Sequence, residues 1–340
     1  MQTAEYSGIN TFLVGMSDLL LTSSVERITR SFKCFELPNP IIIKITNPCA
    51  RLVTIPERDW KLKLAYAESF WIASGRNDLA FINHYSKKIQ EFSDDGDFMR
   101  AGYGARIRFF NGVADDYKQS ETLKDTSPKI NTSIADQLKF VIQCFQKDIK
   151  TRQALISIAD PVKDDFDING NLKSTKDYPC TRDMQFIQNA EGKLDMIVHM
   201  RSNDFIWGAS AVNIFNYTFM QEYVSHILNM EIGNYYHIAN NFHYYERHID
   251  LLKTLANLKN VNDDNYFVYD RSVSNLEEFD TNINLLSTDE AKFRNKDFSN
   301  THTFESDFFN DWSYIFQNVN GVQNIKFKNP ILNSLTSKTK

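Results

Sequence analysis

Cysteine is scarce in this sequence, and the few cysteines present form no pattern. The 340 residues contain four, namely Cys34, Cys49, Cys144 and Cys180. They show no C-x-x-C pair and no regular spacing, which argues against a disulfide framework or a cysteine-based zinc site. His243 and His248 also lack the H-E-x-x-H spacing of a zinc-binding helix. We therefore expect a protein of the reducing cytoplasm that holds no metal.

Clustered positive charge and long apolar runs are also absent. Lys and Arg number 38 against 43 Asp and Glu, which gives a formal net charge of −5. Proteins that bind nucleic-acid polymers instead concentrate positive charge to release counterions. The apolar residues 12–21 are interrupted by Gly15 and Asp18 and follow no basic segment, so they resemble neither a signal peptide nor a membrane span. We expect no polymer and no membrane as partner, and we interpret residues 12–21 as an amphipathic helix.

Hydrophobic periodicity predicts a mixture of helices and strands. Helical spacing of apolar residues covers 60–72, 134–149 and 214–228. Alternating or β-branched runs predict strands at 41–45, 154–158, 184–189, 194–200 and 235–238. After Asp250 the chain is rich in Asn, Asp, Ser and Thr, and only 308–316 predicts another short helix. Chain length alone allows one large domain or two smaller ones.

Cys180 is the candidate nucleophile, because a thiolate can add to C6 of a pyrimidine ring. A thiol with the usual pKa of about 8.5 is mostly protonated at neutral pH, so activation requires nearby positive charge. Arg182 or Arg201 can supply it, and Glu68, the only carboxylate in the apolar stretch 64–72, is a candidate proton-transfer group. The alternative for Cys180 is a buried structural cysteine, which is the commoner role of a single cysteine.

Other polar residues can complete a pyrimidine-nucleotide site around this thiol. Arg201 and Ser202 at a strand end offer a planar fork and a hydroxyl to a phosphate. The amide of Asn213 presents a donor and an acceptor that match a uracil edge, although a helix N-cap would also explain it. His243 and Tyr245 are two residues apart, so on a strand they face the same way and can hold a sugar, unless they are core residues with local partners.

The order and spacing of these residues resemble the thymidylate synthase family. Residues 201–250 contain R-S-x-D-x-x-x-G, N-I-x-x-Y and G-x9-H-x-Y-x-x-H, and residues 179–186 match P-C-x4-Q-F. Upstream, E-S-F-W-x3-G at 68–75 and Tyr103-Gly104 also fit. The resemblance covers residues 30–250, and the shared order of several spaced motifs argues against coincidence.

The resemblance implies a role for each matching residue. The residues implied to act in catalysis are Cys180 as nucleophile at C6, Glu68 as the group that moves protons at O4 and C5 through water, Tyr103 beside the thiol, and Asn213 at the uracil edge. The residues implied to bind the nucleotide are Arg30, Arg201 and Ser202 at the 5′-phosphate, Arg152 acting from a partner subunit, Gln185, Asn213, and His243 and Tyr245 at the sugar. Asp204 and Gly208 are implied to contact the folate.

The resemblance also implies the fold and the co-substrate. It predicts an α+β fold, a three-layer thymidylate synthase-like sandwich whose mixed sheet packs back to back in a homodimer. Within it we expect an N-terminal helical segment at 1–29, the catalytic core at 30–250, and a divergent C-terminal extension of the same domain at 251–340. The implied co-substrate is 5,10-methylenetetrahydrofolate, and the implied substrate is a pyrimidine nucleoside monophosphate.

The sequence departs from the family pattern at several points. Thr181 follows the nucleophile where the family usually has His, and one extra residue separates Gly208 from Asn213. Arg152 is followed by Gln153, whereas the family usually has two adjacent arginines. No tryptophan occurs between residues 71 and 207, and the apolar C-terminal tail that closes over the family's active site is unrecognisable.

These departures leave three functions open. Hydride transfer to the methylene at C5 of dUMP gives dTMP, whereas water gives a hydroxymethyl group, and a pocket without its aromatic wall admits water more easily. The sequence favours dUMP methylation slightly, because Asn213 suits uracil and the catalytic set is complete. A 5-hydroxymethylase acting on (d)UMP or (d)CMP is the first alternative. A non-catalytic nucleotide-binding dimer is the second, and the presence of both Cys180 and Glu68 argues against it.

Overall fold

The computed structural model describes residues 2–29, 32–121 and 134–337. Its strands are β1 (Gln2–Tyr6), β2 (Val25–Thr29), β3 (Phe32–Glu36), β4 (Ile41–Ile45), β5 (Phe110–Asn111), β6 (Ile134–Ala135), β7 (Leu155–Ser157), β8 (Thr181–Gln188), β9 (Leu194–Met200), β10 (Asn203–Asp204), β11 (Ile232–Ala239) and β12 (Phe242–Tyr245). Its α-helices are α1 (Ile9–Ser23), α2 (Leu62–Ala73), α3 (Leu79–Ile82), α4 (Tyr103–Arg108), α5 (Gln137–Lys147), α6 (Pro161–Asp164), α7 (Ile214–Leu228), α8 (Ile249–Ala256), α9 (Leu276–Arg294), α10 (Asp307–Val319) and α11 (Pro330–Ser337). A π-helix, Phe205–Asn213, leads directly into α7, and short 3₁₀ turns lie at Pro56–Arg58, Ile89–Phe92 and Glu246–His248.

A six-stranded mixed sheet lies at the centre, in the order β1-β4-β11-β9-β8-β7. The pairs β1/β4 and β9/β11 are parallel, and the other neighbours are antiparallel. A second, four-stranded sheet has the order β10-β12-β3-β2. The fold is therefore α+β with mixed sheets, as the resemblance predicts. Every strand predicted from the sequence is present.

Helix α7 covers one face of the six-stranded sheet, where it packs against β9 and β11. Residues Ile214–Ile227 of this helix are all buried, including polar side chains such as Gln221 and Glu222, because the sheet and other helices surround it. Helix α2 packs on α7, and α10 packs on α2. Gly75 lies just after the end of α2, and its φ of 76° lies in the left-handed region that favours glycine after a helix.

The opposite face of the sheet keeps accessible surface. A cross-strand row runs through Tyr236, Ile197, Gln185 and Leu155, which pair in register across β11, β9, β8 and β7. The first three are partly exposed, and Leu155 is 41% exposed. Their sequence neighbours point the other way and are buried, so each of these strands has one apolar face in the core and one face without helical cover.

The C-terminal region is more helical than the sequence predicts. We expected one short helix after Asp250, and this expectation is wrong because α9 is a 19-residue helix that precedes α10. Its N-terminus is capped by Asn275, whose side chain accepts from the Glu278 amide at 2.9 Å. The core face consists of Phe279, Ile283, Leu286 and Phe293, which follow helical spacing, but the many polar residues between them conceal that spacing.

The C-terminal region and the N-terminal helix are joined through Asp263. Its carboxylate accepts from the amides of Asn10 at 2.9 Å and Thr11 at 3.1 Å, at the first turn of α1. Carboxylates are stabilising at this end of a helix because the first amides have no intrahelical partner. Phe12, Phe70 and Trp312 belong to one cluster of buried apolar residues. The N-terminal helix, α2 and α10 thus share one core.

Within the described ranges, no helix combines the length and the apolar character that crossing a membrane requires. Residues 12–21 fall inside α1, whose inward face is formed by Phe12, Leu13, Met16 and Leu20. The expectation of an amphipathic helix at this place is therefore confirmed.

Candidate active site

Sheet register brings Cys180 and Arg201 together although they are distant in sequence. Thr181 pairs with Met200 at the end of the β8/β9 ladder, and the Arg201 amide donates to the Cys180 carbonyl at 2.9 Å. The Arg201 guanidinium then turns back over the preceding loop. Its Nη2 lies 3.6 Å from Cys180 Sγ, and the thiol is partly exposed. A positive charge beside sulfur favours the thiolate, and of the two candidate arginines Arg201 is the one with a contact to the thiol in the described chain.

Arg201 also fixes the loop that carries Cys180. Its Nε donates to the Pro179 carbonyl at 3.0 Å, and its Nη2 donates to the Tyr178 carbonyl at 2.9 Å. The guanidinium carbon lies 4.8 Å from the centre of the Tyr178 ring, within cation–π distance. One side chain therefore holds the loop backbone and the sulfur in a single arrangement.

Tyr103 reaches the nucleophile from α4. Its hydroxyl accepts from the Thr181 amide at 3.2 Å, immediately after Cys180. Burial, followed by the proximity of Cys180, raises the pKa of Tyr103, so this phenol stays protonated at neutral pH. Thr181 itself pairs with the Tyr217 hydroxyl at 2.5 Å. The residue that replaces the family's usual His is thus anchored to α7 rather than turned toward solvent.

Glu68 lies on α2 among buried neighbours but retains some accessible surface. Burial raises its pKa to about 7, and a hydrogen bond from Asn216 acts in the opposite direction. Asn216 is oriented by Ser69, whose hydroxyl donates to its Oδ1 at 2.8 Å. A carboxyl group that titrates near neutral pH can both give and take a proton, as general acid–base catalysis requires.

Asn241 joins the predicted phosphate-binding and sugar-binding residues. Its Oδ1 accepts from the Ser202 hydroxyl at 3.2 Å and lies 2.8 Å from His243 Nδ1. Its amide group donates to Glu36 on β3. Burial lowers the pKa of His243, while Asp204 and Glu36 act against this shift, so the imidazole is largely neutral at pH 7. Ser202 and His243 therefore occupy one connected polar cluster.

His243 and Tyr245 face the same way from β12, as their spacing predicts. Their ring centres are 5.4 Å apart with perpendicular planes, and both side chains are partly exposed. Asp204 pairs with His243 in the neighbouring strand β10. Its carboxylate caps the π-helix by accepting from the amides of Ile206 at 2.7 Å and Trp207 at 2.9 Å. Asp204 is thereby held in one orientation.

The extra residue between Gly208 and Asn213 is absorbed by the π-helix. The Ile214 amide donates to the Ala209 carbonyl, five residues earlier, which is the bond of a π-helix and accommodates one inserted residue per turn. Asn213 has helical backbone angles and no side-chain cap bond, so the N-cap explanation of this residue is wrong. Its Oδ1 instead accepts from Asn203 Nδ2 at 3.1 Å.

Gly208 lies against these two amides. A Cβ at this position would come within 2.5 Å of Asn203 Nδ2 and 2.9 Å of Asn213 Oδ1. Such distances are shorter than van der Waals contact, so only glycine allows both amides to approach the π-helix. The sequence predicted that Gly208 contacts the folate. In the structure this residue lies against the side chains of Asn203 and Asn213, and contact with the folate stays a prediction.

Gln185 and Arg152 are not brought to the Cys180 cluster within the chain. Gln185 faces the uncovered side of the sheet, and its side chain donates to the Arg152 carbonyl at 3.0 Å. The alternation of β8 turns Gln185 away from the core side, so its assignment as a nucleotide-binding residue stays a prediction. Arg152 is exposed beside it. Arg30 lies outside the described residues.

Sequence reasoning gave no role to several residues of this region, namely Asn203, Asn216, Asn241 and His237. Each acts through another polar side chain that is distant in sequence, so no local spacing indicates them. Among the described residues no group of three or more His, Cys, Asp or Glu side chains is arranged to hold a metal ion. The described residues thus include a thiol beside a guanidinium, a carboxyl group whose pKa is raised to about 7, paired amides and an imidazole. Groups of these kinds can serve nucleophilic addition to a polar heterocycle.

Comparison with known proteins identifies the family. The thymidylate synthase family model matches residues 43–287. The deoxyuridylate hydroxymethyltransferase of Bacillus phage SP01 is 34% identical over 206 residues, which cover 61% of this chain and 49% of that protein. The deoxyuridylate hydroxymethyltransferase of Pseudomonas phage M6 is 30% identical over 236 residues, or 69% and 59% of the two chains. The thymidylate synthase of Bacillus licheniformis is 27% identical over 213 residues, or 62% and 66%.

This chain belongs to the thymidylate synthase family, because the family model covers most of it. The aligned region spans about half the length of the phage hydroxymethyltransferases. The resemblance identified from the sequence motifs is confirmed.

Proposed function

We propose that this protein transfers a one-carbon unit from 5,10-methylenetetrahydrofolate to C5 of dUMP, and that water completes the reaction to give the 5-hydroxymethyl nucleotide. The observation that carries the proposal is the 3.6 Å contact between Arg201 Nη2 and Cys180 Sγ, in a loop that Arg201 itself fixes. Such a contact prepares a thiolate for addition to C6.

In this proposal the chain's own residues move the protons. Attack by Cys180 at C6 pushes an electron pair toward C5 and O4, and Glu68, with its pKa of about 7, supplies a proton at O4 through water. C5 bonds to the methylene carbon of the co-substrate as the bond from that carbon to N10 breaks. Loss of the C5 proton then supplies the electron pair that breaks the remaining bond to N5, so tetrahydrofolate leaves and an exocyclic methylene remains on C5. Hydroxide from water adds to this methylene, the sulfur leaves C6 with its electron pair, and the C5–C6 double bond returns.

Ser202 and Arg201 are proposed to hold the 5′-phosphate, and His243 and Tyr245 the sugar. The supporting observation is the Asn241 link, which sets Ser202 and His243 at a fixed separation. Asn213 is proposed to bind the uracil edge, and Tyr103 to lie beside the reacting carbon.

The folate is proposed to lie against the start of the π-helix. Asp204 is fixed there by two amides and is partly exposed, and the ring of Trp207 is 37% exposed beside it. Lys88 lies 5.7 Å from the centre of that ring and can attract the carboxylates of a folate. An exposed indole next to an oriented carboxylate suits a flat heterocycle that carries hydrogen-bond donors.

Two observations favour hydroxymethylation over methylation. The phage relatives at 34% and 30% identity bear the name deoxyuridylate hydroxymethyltransferase. The sequence also lacks tryptophan between residues 71 and 207, so the aromatic wall that would exclude water is reduced. Methyl transfer to give dTMP, which the sequence alone favoured slightly, is the second candidate, supported by the similarity to the thymidylate synthase of Bacillus licheniformis.

Product mass distinguishes these functions. The protein is incubated with dUMP, dCMP, UMP or CMP and methylenetetrahydrofolate, and the nucleotide is weighed by mass spectrometry. We expect dUMP to gain CH2O with release of tetrahydrofolate. A gain of CH2 with release of dihydrofolate would establish methylation, and no change in any nucleotide would favour the non-catalytic dimer.

Cys180→Ser tests the nucleophile directly. We expect turnover to be lost while dUMP binding, measured by calorimetry, is largely retained. Cys144→Ser is the matched control, because Cys144 is also partly exposed but lies on α5. Loss of nucleotide binding in Cys180→Ser, with turnover unchanged in the control, would mean that Cys180 has a structural rather than a chemical role.

A homodimer across the uncovered sheet face is part of the proposal. The row of Tyr236, Ile197 and Leu155 leaves apolar surface on that face, and Arg152 is exposed at its border. A back-to-back pairing would cover these residues, complete a sandwich of helical and sheet layers, and carry Arg152 toward the phosphate of the other subunit. Exposed apolar rows of this kind are typical of oligomer contacts.

Subunit mixing tests the role of Arg152. Arg152→Ala and Cys180→Ser are each expected to be inactive as homodimers. If Arg152 acts across the dimer, a mixed dimer has one site with both Cys180 and a partner's Arg152, so mixing the two variants restores activity. Absence of recovery from subunits that do exchange would place Arg152 outside the active site.

A further inference from the structure

A chain of buried polar side chains ends at the amide of Asn213. The Tyr235 hydroxyl lies 2.8 Å from His237 Nδ1, His237 Nε2 lies 2.9 Å from Asn203 Oδ1, and Asn203 Nδ2 donates to Asn213 Oδ1 at 3.1 Å. Tyr235 and His237 have no exposed surface, and Asn203 and Asn213 retain 3% and 8%. We call this set the Tyr235–Asn213 relay.

The relay has a direction that hydrogen-bond chemistry fixes. The single proton of a buried phenol requires an acceptor, and His237 Nδ1 is the one that Tyr235 has in the described chain. His237 must then carry its proton on Nε2, because burial lowers its pKa to about 3 and keeps the ring neutral. That proton is donated to Asn203 Oδ1, and the Asn203 amide therefore points its Nδ2 at Asn213.

The last step determines what Asn213 presents to a base. With Oδ1 turned to Asn203, its Nδ2 hydrogens face the opposite side. O4 of uracil is an acceptor and matches them, whereas the exocyclic amino group of cytosine is a donor and opposes them. If the side-chain amide of Asn213 turned over, its NH2 group would face the NH2 group of Asn203. Only a matching reversal of every hydrogen bond in the relay would remove that conflict.

We propose that Asn203, held by His237 and Tyr235, is a positioning residue that makes this site select uracil over cytosine. The inference rests on the proposed function, since it requires a pyrimidine at Asn213. It goes beyond that function by assigning base selection to residues that do not touch the base. A site built to hydrogen-bond one partner discriminates strongly because the wrong partner leaves buried groups unpaired.

Asn203→Asp is the direct test. The new carboxylate accepts only, so Asn213 must turn its NH2 toward it and present Oδ1 to the base. We expect the ratio of the dissociation constants for dCMP and dUMP, measured by calorimetry without folate, to fall by about tenfold or more. Asn257→Asp, an exposed change of the same kind, is the control and leaves the ratio unchanged.

Tyr235→Phe is the second variant and keeps the ring volume of the core. Without the hydroxyl, His237 can adopt either tautomer and the relay loses its direction, so we expect weaker discrimination with dUMP binding retained. A general loss of stability would weaken both nucleotides alike and leave the ratio unchanged.

The possible results separate the inference from the proposed function. A wild-type protein that binds dUMP while both variants keep its dCMP to dUMP ratio would overturn the inference and leave the proposed function standing. A wild-type protein that binds neither nucleotide would overturn both. A lowered ratio in Tyr235→Phe supports the inference even if Asn203→Asp does not fold.

Discussion

The cluster around Arg106 and Asp164 and the cluster around Arg201 and Cys180 use similar side chains in different surroundings. Arg106 donates from Nη1 and Nη2 to the two oxygens of Asp164 at 2.9 and 2.8 Å, and neither side chain is exposed. Arg201 instead contacts a partly exposed thiol, and it donates hydrogen bonds to two backbone carbonyls. Both arginines fix a loop, but only the second leaves a reactive group accessible.

The pKa values separate the two clusters in the same way. Burial alone would raise the pKa of Asp164, but the hydrogen bonds and charge of Arg106 and then Arg100 hold it below the usual range. The pKa of Glu68 is raised to about 7 because burial is not matched by a cation. The Arg106–Asp164 pair therefore favours the folded state, whereas the buried Glu68 carboxyl group is costly to ionise in the folded state. The comparison therefore predicts opposite signs for substitutions in the two places.

The largest expected effect is in the closed cluster. Arg106→Met leaves the carboxylate of Asp164 buried with only Arg100 as guanidinium partner, so we expect a loss of about 3–5 kcal/mol in the free energy of unfolding. Urea denaturation measures it. Lys253→Met is the control, because its ion pair with Asp250 is exposed and should change stability by less than about 0.5 kcal/mol. Equal losses of stability in the two variants would contradict the proposed difference between the buried and the exposed ion pairs.

Glu68→Gln should act in the opposite direction on stability. Folded Glu68 keeps its proton up to pH about 7, whereas in the unfolded chain it loses the proton near its ordinary pKa of 4.5, so wild-type stability falls as the pH rises between these values. At pH 8 we expect the variant to be more stable by up to about 3 kcal/mol, and near pH 4 the difference should vanish. Turnover should be greatly reduced.

Thermal unfolding at pH 4, 6 and 8 measures this effect. Glu57→Gln, at an exposed carboxyl, is the control and should show no such pH dependence. A Glu68→Gln variant that loses stability at pH 8 would show that the ionised carboxylate is well satisfied, and the contrast between the clusters would disappear.

Gly208→Ala tests how tightly Gly208 packs against the side-chain amides of Asn203 and Asn213. The added methyl group must displace Asn203 or Asn213, so we expect a loss of about 1–3 kcal/mol in stability together with weaker dUMP binding. Gly112→Ala is the matched control, since a Cβ there would meet no atom within 4 Å. Unchanged dUMP affinity in Gly208→Ala would contradict the placement of the base at Asn213.

The smallest expected effect comes from Tyr103→Phe. Loss of the hydroxyl removes the acceptor for the Thr181 amide, which should cost about 1 kcal/mol in stability. We expect a larger reduction of kcat than of dUMP affinity, because the residue lies beside the nucleophile rather than at the phosphate. The exposed Tyr266, changed to Phe, should alter neither quantity. Equal changes in kcat and affinity would instead assign Tyr103 to substrate binding.

Local spacing predicted those parts of the fold that depend on one segment at a time. Strand β4 begins and ends where the β-branched run does, and α7 matches the predicted range 214–228. Helix α9 was missed because Asp289 and Glu290 are buried on it, where Tyr85 and His302 bind them. A segment rich in polar residues can therefore be a core helix, because its polar side chains can be buried against partners that are distant in sequence.

The site shows the same limit. Motif order indicated Cys180, Arg201, Ser202 and Asn213, since each follows a recognisable element. Asn203 and Asn241 could not be identified in this way, because their roles depend on hydrogen bonds that form only in the folded chain. The motif that contains Gln185 likewise does not show which face of the sheet this residue occupies.

The link between Asp263 and α1 has a consequence for synthesis of the chain. Helix α1 leaves the ribosome well before Asp263, because 253 residues separate Asn10 from the carboxylate that binds its amide. The helix therefore cannot reach its final free energy until that further length of chain has been made. Expression fragments that stop near residue 250 would leave the amides of Asn10 and Thr11 without this carboxylate.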